Sequence, residues 1–193
     1  MLSMEDNKPK PHPTEDVQLK DKIEIIRNMG TSRQARALIL LVLLDEKPVS
    51  VFNIKEDQVA EVLSKCKSIG LSILTTKEEE SDEYGKYQMA VSKSRDFVNE
   101  IYEIIQKDTK ELDHRRFGEL MGFPKTAINT FLEKDESKHI NLDEYLETTE
   151  EYRDLFGFMI SKDHSEEEKS VLNKWHNLIL KYSPELLKSF NKE

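Results

Sequence analysis

Apolar positions begin to recur at helical spacing after Thr14. Leu19, Ile23 and Ile26 share one face, Thr14 is placed to cap that helix, and Gly30 is placed to end it. Ser32 caps a second helix, in which Ala37 to Leu44 is apolar on every face. A run of that kind is either a helix buried centrally or a segment that turns strand-like near its end. Beyond Pro48, Val49 to Ile54 is short, β-branched and aromatic, and so predicts a strand. Asn53 and Glu56 stand at capping-box spacing before a helix lined by Val59, Val62, Leu63, Cys66 and Ile69, which stops at Gly70.

Leu71 to Thr76 predicts the next strand, and Tyr87, Met89 and Val91 alternate along a third. The acidic run Glu78 to Glu83 with Gly85 joins these two as a hairpin loop. Ser94 caps a helix with Phe97, Ile101, Ile104 and Ile105 at core spacing, which completes a β-α-β-β-α order. The expected fold class is therefore α+β: a small ferredoxin-like β-α-β-β-α sandwich followed by an α-helical C-terminal half. By segment, residues 1–13 read as a flexible tail, 14–31 as an N-terminal helix, 32–107 as the α/β sandwich, and 108–193 as a helical region.

Two short helices, His114 to Met121 and Pro124 to Lys134, form a helix-turn-helix-like pair across 113–134, with Pro124 as the first residue of the second. Asn141 with Glu144 and Ser165 with Glu168 repeat the capping-box spacing. Tyr152, Phe156 and Phe158 read as core aromatics. A long final helix carries the stripe Val171, Leu172, Trp175, Leu178, Ile179 and Tyr182, after which Ser183-Pro184 starts a last short turn.

Charge changes this picture in one place. The 193 residues carry a net charge of −9, but residues 93–134 sum to zero and 135–169 to −8. A global negative balance argues against sequence-blind nucleic-acid binding, which needs clustered Lys and Arg to neutralise phosphates. The acidic stretch reads as a solvated face. The longest apolar run falls well short of a bilayer span and no leader pattern opens the chain, so no membrane role and a cytoplasmic location are expected. The single cysteine, Cys66, cannot pair within the chain and lies on an apolar helix face, as a small hydrophobe in a reducing compartment.

The segment from Asp113 to Phe131 concentrates the candidate chemistry. Gly118 falls where two helices approach closely, Gly122 falls at the turn, Phe123 and Ile128 plug the core, and Lys125, Thr126, Asn129 and Thr130 face outward as possible nucleic-acid contacts. Asp113, His114, Arg115 and Arg116, with Gly118, Gly122, Phe123 and Pro124, mark a possible ligand or partner surface. His114 could also act as a general base or an anion site, yet no nucleophile with a base, Gly-rich phosphate loop or carboxylate cluster supports catalysis. His12, His139, His164 and His176 have no mutual metal spacing, and the i, i+4 pair His164 and Glu168 supplies only two ligands, so no metal and no cofactor are expected.

Locally the segment resembles bacterial helix-turn-helix regulators whose recognition helix begins Gly-x-Pro-Lys-Ser/Thr. More broadly, Asp113, His114, Gly118, Leu120, Gly122, Phe123 and Pro124 match an Asp-His-x-x-x-Gly-x-Leu-x-Gly-Phe/Tyr-Pro motif. On those residues the chain resembles an archaeal family of uncharacterised proteins, a resemblance that implies a fold and no activity. It departs after Pro124, where Lys125, Thr126 and Ala127 stand in place of cysteines, so no thiol or metal role carries over. The preferred functional reading is a non-enzymatic binding or regulatory protein whose surface includes residues 113–131 and whose partner is a protein rather than nucleic acid. A DNA-binding regulator and a small-molecule enzyme using His114 are the alternatives.

Overall fold

The computed structural model describes residues 15–77, 87–106, 112–140 and 158–187. The expected Thr14 cap, the 1–13 tail with His12, the 78–86 loop, the Asn141/Glu144 cap, Tyr152 and Phe156 lie outside the described residues. Among the described residues, seven α-helices surround a three-stranded antiparallel sheet.

Helix α1 (Glu15–Arg27) turns Ile23 and Ile26 inward. Ser32 then caps α2 (Arg33–Leu43), its hydroxyl accepting the Ala35 N–H at 3.1 Å. Every residue from Ala37 to Leu43 is buried, so the all-round apolar run is a central helix that stays helical to its end. Burial of this kind is worth up to about 2 kcal/mol for each large aliphatic side chain, which makes α2 the largest single contributor to the core.

Strand β1 (Val49–Ile54), helix α3 (Val59–Ser68), strand β2 (Ser72–Lys77) and strand β3 (Tyr87–Ser92) follow. Strand β3 lies in the middle and is antiparallel to both neighbours: Met89 faces Phe52 on one side and Thr75 on the other. The expected capping box at Asn53 is absent. Asn53 is an exposed β1 residue, and a single 3-10 turn, Glu56–Gln58, leads into α3 instead, with the Lys55 N–H donating to Gln58 at 3.4 Å.

Alternation along the strands separates two cores. Phe52, Ile54, Ile73, Met89 and Val91 face α2 and the α3 residues Val62, Cys66 and Ile69. Val49 and Ala90 face the other way, onto Val98, Ile101 and Ile104 of α4 (Arg95–Ile105). Helices α3 and α4 therefore cover opposite faces of the sheet, where a two-layer sandwich would have placed them together. Ser94 caps α4 as expected, accepting the Phe97 N–H at 3.3 Å, but Phe97 itself points to solvent and Val98 takes the core position.

The last helix, α7 (Ser165–Tyr182), lays Leu172, Trp175 and Ile179 against the α2 side of the core. Its expected Ser165/Glu168 box does not form. The Glu168 carboxylate turns inward and accepts the Ser161 N–H at 2.7 Å and the Ser161 O–H at 2.8 Å. A fully buried carboxylate needs such donors, and here they tie the start of α7 to a short bridge between His139 and Ser161.

Cys66 is fully buried on α3, and exclusion from water pushes its thiol up to about 12. The native protein should react with a thiol reagent at neutral pH only as fast as the α3 region opens. A hydroxyl in the same place would lack a partner, so Cys66→Ser should lower stability by about 1–3 kcal/mol in chemical denaturation. Labelling as rapid as in denaturant would contradict this placement.

Candidate functional site

The segment singled out by sequence forms α5 (His114–Leu120) and α6 (Lys125–Leu132). Asp113 caps α5, its carboxylate accepting the Arg116 N–H at 2.9 Å. The helix then stops in a left-handed turn. Gly122 sits at φ +74°, its N–H donates to the Glu119 carbonyl at 3.1 Å, and the Phe123 N–H donates to the Gly118 carbonyl at 2.9 Å. This pair of bonds satisfies two carbonyls that a helix end leaves open, and the Phe117 and Phe123 rings, 6.5 Å apart, close the turn with an apolar contact. Pro124 precedes the first turn of α6 as its cap residue, one position earlier than expected, and its carbonyl accepts the Ile128 N–H at 3.0 Å.

Gly118 is required by space, and Gly122 by space as well as by conformation. A Cβ on Gly118 would stand 2.8 Å from Cγ1 of Ile128, so the two helices cross in contact at that point. A Cβ on Gly122 would meet Pro48 Cδ at 3.2 Å and Lys47 Cα at 3.4 Å. The α5–α6 turn is thus seated on the loop between α2 and β1, at the end of the sheet where β1 begins. From there Leu120 enters the core on the α4 side and Ala127 the core on the α2 side.

Under the turn lies a residue that sequence reading passed over. Lys47 is only 2% exposed, and its Nζ stands 4.2 Å from the ring centre of Trp175 and 5.3 Å from that of Phe123. Phe158 completes the enclosure, 5.3 Å from Phe123 and 6.3 Å from Trp175. A lysine followed by proline in a Glu-Lys-Pro turn has every local mark of a solvated side chain. Only the arrival of three aromatic rings from 76 to 128 residues downstream buries it.

The outer side of the pair brings several expected residues together. The His114 ring packs edge-on against Phe131 with centres 5.4 Å apart, and Phe131 remains 45% exposed. One turn away, the Arg115 guanidinium donates to the Asn129 side-chain oxygen at 2.9 Å, and Lys125 is exposed one turn before Asn129. Arg116 is committed elsewhere: it grips both carboxylate oxygens of Glu100 on α4 at 2.6 and 2.8 Å and reaches Glu119 at 3.2 Å. That pairing holds the Glu100 carboxyl below its usual range.

Two of the four expected nucleic-acid contacts do not face outward. Thr130 is 8% exposed, and Thr126 is half-buried with its Oγ1 closed off from water and without a partner among the described residues. The reason is the crossing at Gly118, which draws Ile128 inward and rotates Ala127 and Thr130 toward the body of the protein. For catalysis, the neighbour found for His114 among the described residues is the Phe131 ring. His139 is buried, His164 is exposed at the start of α7, and Glu168 is turned away toward Ser161. Among the described residues no three His, Cys, Asp or Glu side chains gather where they could hold a metal ion, and no helix is long and apolar enough to cross a membrane. No protein-family model matches the chain, nor does any curated protein or solved structure.

The seat of the turn makes a direct expectation. Gly122→Val should cost on the order of 1–3 kcal/mol, because it combines a left-handed backbone with a side chain pressed against Pro48. Arg115→Ala, at an exposed polar contact, should change stability by less than about 0.5 kcal/mol. Urea melts of the two variants check both, and a Gly122→Val protein as stable as wild type would remove the tight-turn interpretation.

Proposed function

We propose that this protein is a non-enzymatic binding module whose α5–α6 face docks an acidic segment of a protein partner. The observation that carries this reading is the exposed Phe131, backed by His114 and flanked by Arg115 and Lys125. Among the described residues neither cation meets a carboxylate, whereas Arg116, the next residue along, meets two. A large apolar ring held by a neighbouring ring and bordered by unneutralised cations suits a peptide that combines an apolar anchor with carboxylates.

Sequence-specific DNA binding is the second reading, favoured by the close crossing of α5 and α6 and by the exposure of Lys125 and Asn129. Against it stand the inward turn of Thr126 and Thr130 and the net charge of −9, since few counterions would be released by so short a row of cations.

Selection of a random peptide library on the full chain, counter-selected on Phe131→Ala, separates the two. Recovered peptides should be acidic with an apolar anchor, and Lys125→Glu and Phe131→Ala should each weaken them about tenfold or more, an effect of about 1.4 kcal/mol. A random DNA duplex pool should show no binding that survives about 150 mM salt. Submicromolar, sequence-selective duplex binding at that salt, weakened by Asn129→Ala, would replace the peptide reading with the DNA one. Peptides without acidic bias, or unaffected by Lys125→Glu, would overturn the reading of this face.

A further inference from the structure

Two charged side chains are buried among the described residues, Lys47 and Glu168, and they are treated differently. Glu168 is answered by two donors from Ser161. The backbone N–H of Lys47 donates to the Leu41 carbonyl at 3.4 Å, and its side-chain amine forms no ion pair with any described residue. The carboxylates beside it in the chain are engaged elsewhere, Asp45 with Lys93 at 2.6 Å and Glu46 with Lys174 at 2.7 Å. What surrounds the amine is aromatic: Trp175 from α7, Phe123 from the α5–α6 turn, and Phe158 behind both. The ring faces favour the charged amine and the exclusion of water favours the neutral one.

We propose that Lys47 is a proton-operated latch, in which the neutral amine lets the α5–α6 turn seat against the end of α2 and proton uptake loosens that seam. The geometry assigns the seam because Phe123 and Gly122 are the parts of the helix pair that close over Lys47, and nothing in that turn is charged. Burial pushes the Lys47 amine down to about 7. An amine released into water would keep its proton up to about 10.4. Between these values the unseated form holds the extra proton, so seating strengthens as pH rises, by up to about tenfold per unit, and is weakest below pH 7. Among the described residues, the other titratable and charged groups near the enclosure are Asp45 and Glu46 on its own turn, Lys174 and His176 on α7, and Lys93 at the exit of β3. The first two are ion-paired with Lys93 and Lys174. The inference concerns the seating of the pair and stands apart from what the outer face binds.

The test uses the full chain. The Lys47 Cε resonance, recognisable by its upfield displacement over the Trp175 ring, should titrate in NMR with a midpoint near 7, and a midpoint near 10 would overturn the proposal without any variant having to fold. In parallel, hydrogen-exchange protection of residues 117–130, taken relative to β3, should rise by about tenfold or more between pH 6.5 and 8.5 in wild type. The same ratio should stay flat in Lys47→Met, which keeps the length of the side chain and retains His176. An equal pH dependence in both proteins would assign the effect to another group and end the latch.

Discussion

Four consecutive residues, Asp45 to Pro48, hold the parts of this molecule together. Asp45 adopts φ 62°, which reverses the chain sharply after α2, and each residue of the turn then reaches a different element. Asp45 pairs with Lys93 beyond β3, Glu46 pairs with Lys174 on α7, Lys47 enters the aromatic enclosure, and Pro48 supports Gly122 while its carbonyl accepts the Ser92 hydroxyl at 2.6 Å. The exposed ion pairs contribute little individually. Their value is positional: they fix the backbone that carries Lys47 and Pro48 to where the helix pair must land. A buried amine with no carboxylate partner among the described residues is costly, and the rings that exclude water from it all belong to the core on the α2 side.

The parts of this fold that local rules govern were legible in the chain. Ser32, Ser94 and Asp113 cap the helices they precede, and the apolar runs at 37–44 and 49–54 became a central helix and an edge strand. Rules that depend on which face meets which partner were less reliable. Phe97 has helical core spacing with Ile101 and Ile104, but α4 presents Val98 to the sheet in its place. Glu168 has the spacing of a helix cap and instead binds Ser161, seven residues upstream. For the candidate face, the glycines of the helix pair were readable from the demands of a tight crossing, whereas Thr130 could not be placed until Gly118 fixed the rotation of α6. Lys47 illustrates the limit most plainly, since its burial is decided wholly by residues distant in sequence.

Charge is distributed over the helix pair so that one side is structural and the other is available. Arg116 faces α4, where Glu100 binds it through both oxygens, and so fastens α5 to the layer on the far side of the sheet. Arg115 and Lys125 face water. Adjacent arginines on a seven-residue helix thus have unrelated work, and a substitution at one carries no information about the other.

The central position of β3 also constrains the order in which the protein can be assembled. Strands β1 and β2 each pair with β3 and not with one another, although both precede it in the chain. A ribosome must therefore deliver residue 92 before either strand has its neighbour, and Trp175 emerges later still to cover α2. During that interval α2, the described helix with the most buried residues, is made and left without its lid. Unpaired strands and uncovered apolar surface favour aggregation, so the strand order that completes the native sheet also sets a period of vulnerability during synthesis.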